Sequence, residues 1–235
     1  MSASADPRGR TSPSPGRIAA RALTLCAVIA RAYLEEAAHD PHTEQLRKQM
    51  LAWLQQLDLM DELTQAERKL MERPVGRLSQ REQADASWLC EGLSVLAWAL
   101  GRFELPLPDS EIDPRRVVES LGFLTDGAQA LLTLPLLRPE EELATAEARL
   151  VLVRERLVAF SQTREPVSLE LLAKGAELGP LVLSGVPLAD GDLRIDGKPL
   201  AQCEEDRWNE ALDAATERAR SISWLCGSGE RYSLG

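Results

Sequence analysis

The sequence predicts a mainly α-helical chain, folded as a single helical-bundle-like domain with a small β-hairpin near its C-terminal third. Three observations carry that expectation. Apolar residues recur at three- and four-residue spacing through most of the chain. Ser/Thr-x-x-Glu boxes and an Asp113-Pro114 pair stand ahead of such stretches as helix starts. An Asp-Gly pair inside a short alternating stretch gives a hairpin signal.

Residues 1–16 are rich in Ser, Pro, Gly and Arg and cannot bury apolar area, so they read as a disordered tail outside the fold. Ile18 to Glu36 follows as an amphipathic helix, with Ile18, Ala22, Leu25 and Ile29 on one face, ended by the turn His39-Asp40-Pro41-His42. Thr43 is expected to cap a second helix, whose stripe is Leu46, Met50, Trp53, Leu54, Leu57 and Met60. Thr64 and Glu67 form a capping box for a short third helix that stops before Pro74. Ser79 and Glu82 form another, opening the most apolar helix, which runs through Trp88 and Trp98 to Gly101 and is expected to lie at the centre.

Residues 102–112 read as extended and proline-rich, and Asp113-Pro114 opens a short helix. Leu143, Ala146, Leu150, Val153, Leu157 and Phe160 mark a long helix with a narrow buried seam. A hairpin at about 190–200 turns at Asp196-Gly197, and Trp208 to Cys226 makes a last helix closed by Gly227. Leu131–Leu137 and Leu181–Leu188 stay open between helix, strand and coil. The expected domain spans 17–227, with 228–235 as a flexible C-terminal tail.

With 235 residues and 44% hydrophobic content, the chain can bury a sizeable core. Its formal net charge of −10 opposes a phosphate backbone, so nucleic acid is not an expected partner. Residues 1–34 hold five Arg and one acid, a balance of +4 that leaves −14 for the rest. No stretch approaches the roughly 20 apolar residues of a membrane span, and the apolar run Ala22–Ala30 is too short and too helix-spaced for a signal peptide. A cytoplasmic protein is expected, with Cys26, Cys90, Cys203 and Cys226 reduced, since no CxxC pair signals zinc or redox chemistry.

No cofactor is signalled, because neither GxGxxG nor GxxxxGK[ST] occurs. His39 and His42 are the only histidines. Pro41 between them spoils their geometry as a metal pair, and any Ser-His or Cys-His catalysis would need one of them. Asp190, Asp192 and Asp196 lack the closing Glu of a calcium loop.

Trp88-Leu-Cys-Glu91-Gly-Leu-Ser-Val-Leu-Ala-Trp98-Ala-Leu-Gly101 resembles the signature of a bacterial family known as domain of unknown function 4272. Trp53–Glu67, Leu137-Arg138-Pro139 with Glu140–Glu142, and Glu217–Leu225 resemble further segments of it, so the likeness runs from about 17 to 227. Ser223 stands where the family pattern implies Asn, and the long seam helix lacks a Trp. The resemblance implies no reaction.

Glu91 is the sharpest oddity: with Ser87 and Ser94 it makes a thin polar stripe on an apolar helix. A carboxylate there must be paired or neutralised. Arg218, from another of the family-like segments, is the expected partner. Glu91, Arg138, Glu142, Glu217 and Arg218 are therefore candidates for a polar cluster, with Trp88, Trp98 and Trp224 as aromatic lining. They could line a ligand-binding cavity or fix helix packing as a buried ion-pair network. The expected function is non-enzymatic binding of a protein, such as an immunity-like domain neutralising a basic partner. The alternative is a small-molecule-binding protein or hydrolase with its polar site around Glu91 and Arg218.

Overall fold

The computed structural model describes residues 12–110 and 112–234. Helix α1 (Pro15–Tyr33) starts inside the segment expected to be tail, because the Ser14 hydroxyl accepts the Arg17 N–H and Pro15 occupies the first turn. Residues 1–11 of that expected tail lie outside the described residues. The helix is also not amphipathic: Arg21, Leu23, Thr24, Ala27 and Arg31 are as buried as the predicted stripe. A helix buried on nearly every side belongs to the interior.

After a 3₁₀ turn at Leu34–Ala37, α2 (Pro41–Gln56) begins at the proline expected to end the preceding helix. Its cap is Asp40, which accepts the His42 N–H, rather than Thr43. Helix α1 has already ended at Tyr33, and Pro41, lacking an N–H that the first turn would leave unpaired anyway, starts the next helix rather than stopping the last. Helices α3 (Gln65–Glu72) and α4 (Gln80–Ala99) carry the two expected capping boxes, from Thr64 and Ser79. Short α5 (Pro114–Ser120) and α6 (Gly127–Thr133) lead to the long α7 (Glu140–Thr163), then α8 (Leu169–Gly175) and α9 (Glu205–Leu225).

Helix α4 packs between α1 and α9, and α9 lies against α7. The expectation of α4 as the central element is met, with α1 equally enclosed. The core forms two clusters: a larger one around α1 and α4, and a smaller one between α7, α8, the strands and the first half of α9. Helix α9 joins them, giving Trp208 and Ala215 to the smaller and Ile222 and Trp224 to the larger.

The expected single hairpin is a three-stranded antiparallel meander, β1 (Leu188–Ala189), β2 (Asp192–Ile195) and β3 (Lys198–Pro199). Asp190-Gly191 makes a second turn like Asp196-Gly197, with positive φ at all four residues, the signature of type I′ turns. Of the segments left open, 131–133 complete α6, and Pro180–Leu183 form a 3₁₀ turn before β1. The expected loose tail at 228–235 is corrected: Tyr232 is 1% exposed, within the larger core cluster. Among the described residues, no helix is long and apolar enough to cross a membrane.

Candidate functional site

Glu91 and Arg218 meet across the α4–α9 contact, as expected, with Nε and Nη2 of Arg218 at 2.8 and 2.7 Å from Oε2 of Glu91. Arg218 is 1% exposed. Its remaining donors go to backbone carbonyls, those of Leu107 at 2.6 Å and Ser110 at 3.1 Å. Burial pushes the Glu91 carboxyl above its usual range, and the Arg218 charge and hydrogen bond pull it back only in part. The two serines of the predicted stripe turn onto their own helix, Ser87 to Ala84 O and Ser94 to Glu91 O. Ser221 on α9 instead reaches across, donating to the carbonyl of Gly92.

The rest of the expected polar cluster is dispersed. Arg138 and Glu142 pair at 3.1 Å near the start of α7, where Arg138 stacks over Trp98 and donates to its carbonyl. Glu217 holds Arg220 and accepts the Tyr232 hydroxyl at 2.8 Å. Of the expected aromatic lining, Trp98 and Trp224 are buried in the core, while Trp88 is half-buried and lines open space.

Glu91–Arg218 is one of several pairs of the same design. Arg21, fully buried on α1, pairs with buried Glu67 and donates to the carbonyls of Glu62 and Tyr232. Arg31 pairs with Glu35 and reaches the carbonyls of Arg73 and Pro74. Arg47 pairs with Glu44 and reaches those of Met71 and Glu72. Arg156 pairs with Asp192 and reaches that of Glu165. In each case a helix-borne guanidinium takes one carboxylate for its charge and gives at least one further N–H to carbonyls of a loop, a helix's last turn or the chain's C-terminal segment, where no helix partner exists. Arg31 Nε and Arg156 Nη1 find no hydrogen-bond partner among the described residues. Sequence reasoning found one of the five, because a lone Arg on an apolar face reads as solvent-facing.

Trp88 has a different surrounding. It forms the wall shared by two adjoining cavities, of about 260 and about 480 Å³, along the α4–α9 crease. Glu91, Asp109 and Glu210 line the first, and Asp85, Asp213 and Glu217 the second. Of the groove's three arginines, Arg207 and Arg220 are already held by Glu210 and Glu217, and Arg81 lies 3.7 Å from Asp85. Asp109 and Asp213 have no ion-pair or hydrogen-bond partner among the described residues. Burial and the nearby Glu217 charge push the Asp213 carboxyl up, so a cation placed there would meet an under-neutralised acid.

Both histidines sit exposed at the α1–α2 turn, away from the groove. Among the described residues no cluster of three or more His, Cys, Asp or Glu is placed to hold a metal ion. None of the four cysteines is in a disulfide, and burial pushes the thiols of Cys26 and Cys90 well up.

Neither the curated proteins nor the solved structures gave a match to this chain. The family model described as "Domain of unknown function (DUF4272)" matches residues 4–173, a stretch that holds three of the four resembling segments and ends before Glu217–Leu225. With nearly three quarters of its length matched, the chain belongs to the family of domain of unknown function 4272.

Proposed function

We propose that this protein is a non-enzymatic binding domain and that the acidic groove around Trp88 receives a basic protein partner. The supporting observation is the groove itself: a half-buried indole between two cavities, ringed by carboxylates of which Asp109 and Asp213 have no cation partner among the described residues. A Lys or Arg side chain seated there gains both the carboxylates and the indole face. The net charge of −10 works in the same direction over longer range, drawing a basic surface toward the chain.

The alternative of a hydrolase around Glu91 and Arg218 has less support. Arg218 is spent on Glu91 and two carbonyls, and no histidine stands near to serve as base. An immunity-like role is one form that binding to a basic partner could take.

The test is affinity purification of the tagged full chain from its native host, beside Trp88→Ala and Asp213→Asn, at low and high salt. One stoichiometric basic partner, lost with Trp88→Ala and reduced at high salt, supports the reading. A partner retained equally by the variants, or held independently of salt, overturns it.

A further inference from the structure

The C-terminal segment is held as a ligand would be. Arg21 Nε donates to the Tyr232 carbonyl at 2.6 Å, and Glu67 Oε1 accepts the Leu234 N–H at 3.0 Å. One buried ion pair thus reads the backbone of alternate residues, a contact that needs extended chain and no particular sequence. Between those two points, the Tyr232 ring enters a notch in α4 where Gly92 has no side chain; a methyl group there would overlap the ring. At the floor of the notch the hydroxyl donates to Glu217 at 2.8 Å and approaches the Leu89 carbonyl at 3.3 Å. Arg231 meets Glu62 at the entrance, and Arg220 covers the open side of the ring.

Part of the receiving surface is bonded independently of the segment. Glu67 keeps Arg21 and the Thr64 N–H, and Arg21 keeps the Glu62 carbonyl. One large side chain, Tyr232, is fully inserted, with Leu234 packing partly buried against the core, and the connection back to α9 is the exposed stretch Ser228–Glu230. A preformed backbone clamp, a side-chain notch and a short exposed tether are the parts of a peptide site and its occupant.

We propose that the cleft between α1, α3, α4 and α9 is a binding site for an extended tyrosine-bearing peptide, filled here by the chain's own residues 231–234 and open to the same segment supplied by a second copy. This stands apart from the Trp88 groove. It assigns the cleft a second state, in which the tail is displaced.

The experiment uses the full chain with a protease recognition sequence inserted between Gly229 and Glu230, cut after folding, with the uncut form as melting reference. The probe is a labelled peptide of residues 229–235. The expected result is that the cut protein stays folded and takes up the peptide, while the uncut protein takes up at least about ten-fold less at the same concentration, because its site is occupied at high effective concentration. The same peptide with Tyr232→Ala should bind on the order of a hundred-fold more weakly, as loss of a buried aromatic implies. Gly92→Ala in the cut chain should abolish uptake. Unfolding on cleavage, failure of the labelled peptide to enter, or equal binding of the Ala peptide would each overturn the proposal. Such results would make the tail an integral part of the core.

Discussion

Replacing Glu67 by Gln removes the carboxylate from the most enclosed of the arginine pairs, where both side chains are 0% exposed. The amide leaves Arg21 as a buried cation without a counter-charge, and turns an N–H toward either the guanidinium or the Thr64 and Leu234 N–H groups. Breaking one side of a buried pair costs about 3–5 kcal/mol. For a chain of this size each kcal/mol moves the melting point by about 2–4 °C, so a fall of about 6–20 °C is expected by calorimetry. Arg21→Met with Glu67→Met should recover part of the loss, since no charge is left stranded, though the Tyr232 carbonyl and the Thr64 and Leu234 N–H groups lose their partners, the Glu62 carbonyl keeping Arg231. The pH dependence has a definite sign. Burial pushes the Glu67 carboxyl up, but Arg21 and the Thr64 and Leu234 N–H groups outweigh it and hold it below its usual 4.5. A carboxyl held low contributes stability above its unfolded value and loses it as pH falls through the folded one. The gap between wild type and Glu67→Gln should therefore be full at neutral pH and shrink below about pH 4.5. A variant melting within about 1 °C of wild type would refute the reasoning.

Glu91 and Arg218 should respond unequally. Arg218→Met strands the Leu107 and Ser110 carbonyls and leaves Glu91 buried alone, costing about 3–5 kcal/mol, whereas Glu91→Gln should cost less than that and less than Glu67→Gln: Arg218 loses its counter-charge, but the amide oxygen still accepts from it and the burial penalty that holds the Glu91 carboxyl up is lifted. Since the Glu91 carboxyl is held above its usual value, its contribution is full below about pH 4.5 and declines as pH rises through the folded value. Glu91→Gln should thus gain on wild type over that rise in thermal melts, and equal, large losses for both variants would contradict the assignment. In the native protein a thiol reagent should reach half-buried Cys203 and Cys226, while Cys26 and Cys90 react after unfolding; mass spectrometry of the labelled protein checks this, and early labelling of Cys26 would contradict the packing of α1.

Local signals in the sequence carried much of the fold. The boxes at Thr64 and Ser79 name their helix starts because a hydroxyl and a carboxylate three residues apart satisfy two orphan N–H groups, whatever the tertiary structure does. Glu91 was legible because a charge on an apolar helix demands a partner. The long-range parts were less so. Glu67 reads as an exposed cap residue, and only the fold shows it also neutralising Arg21, 46 residues away. Arg21 and Arg31 interrupt an otherwise apolar helix, a signal that could have marked them as paired in the interior. Gly92 in mid-helix was another, since glycine there costs about 1 kcal/mol against Ala and implies a close approach. Its counterpart is the lone aromatic of a Ser- and Gly-rich ending, Tyr232, which composition alone assigns to a loose tail. Arg138 and Glu142 could not be separated from Glu91 by sequence, because spacing along α7 says nothing of where α7 meets α4.

The most direct test of the proposed binding role is the dissociation constant of the captured partner for wild type and Trp88→Ala, each at two salt concentrations. The account predicts at least about thirty-fold weaker binding for the variant, the loss expected of a central tryptophan, and an affinity of the wild type that falls as salt rises. Equal affinities for the two proteins, or an affinity indifferent to salt, would contradict it.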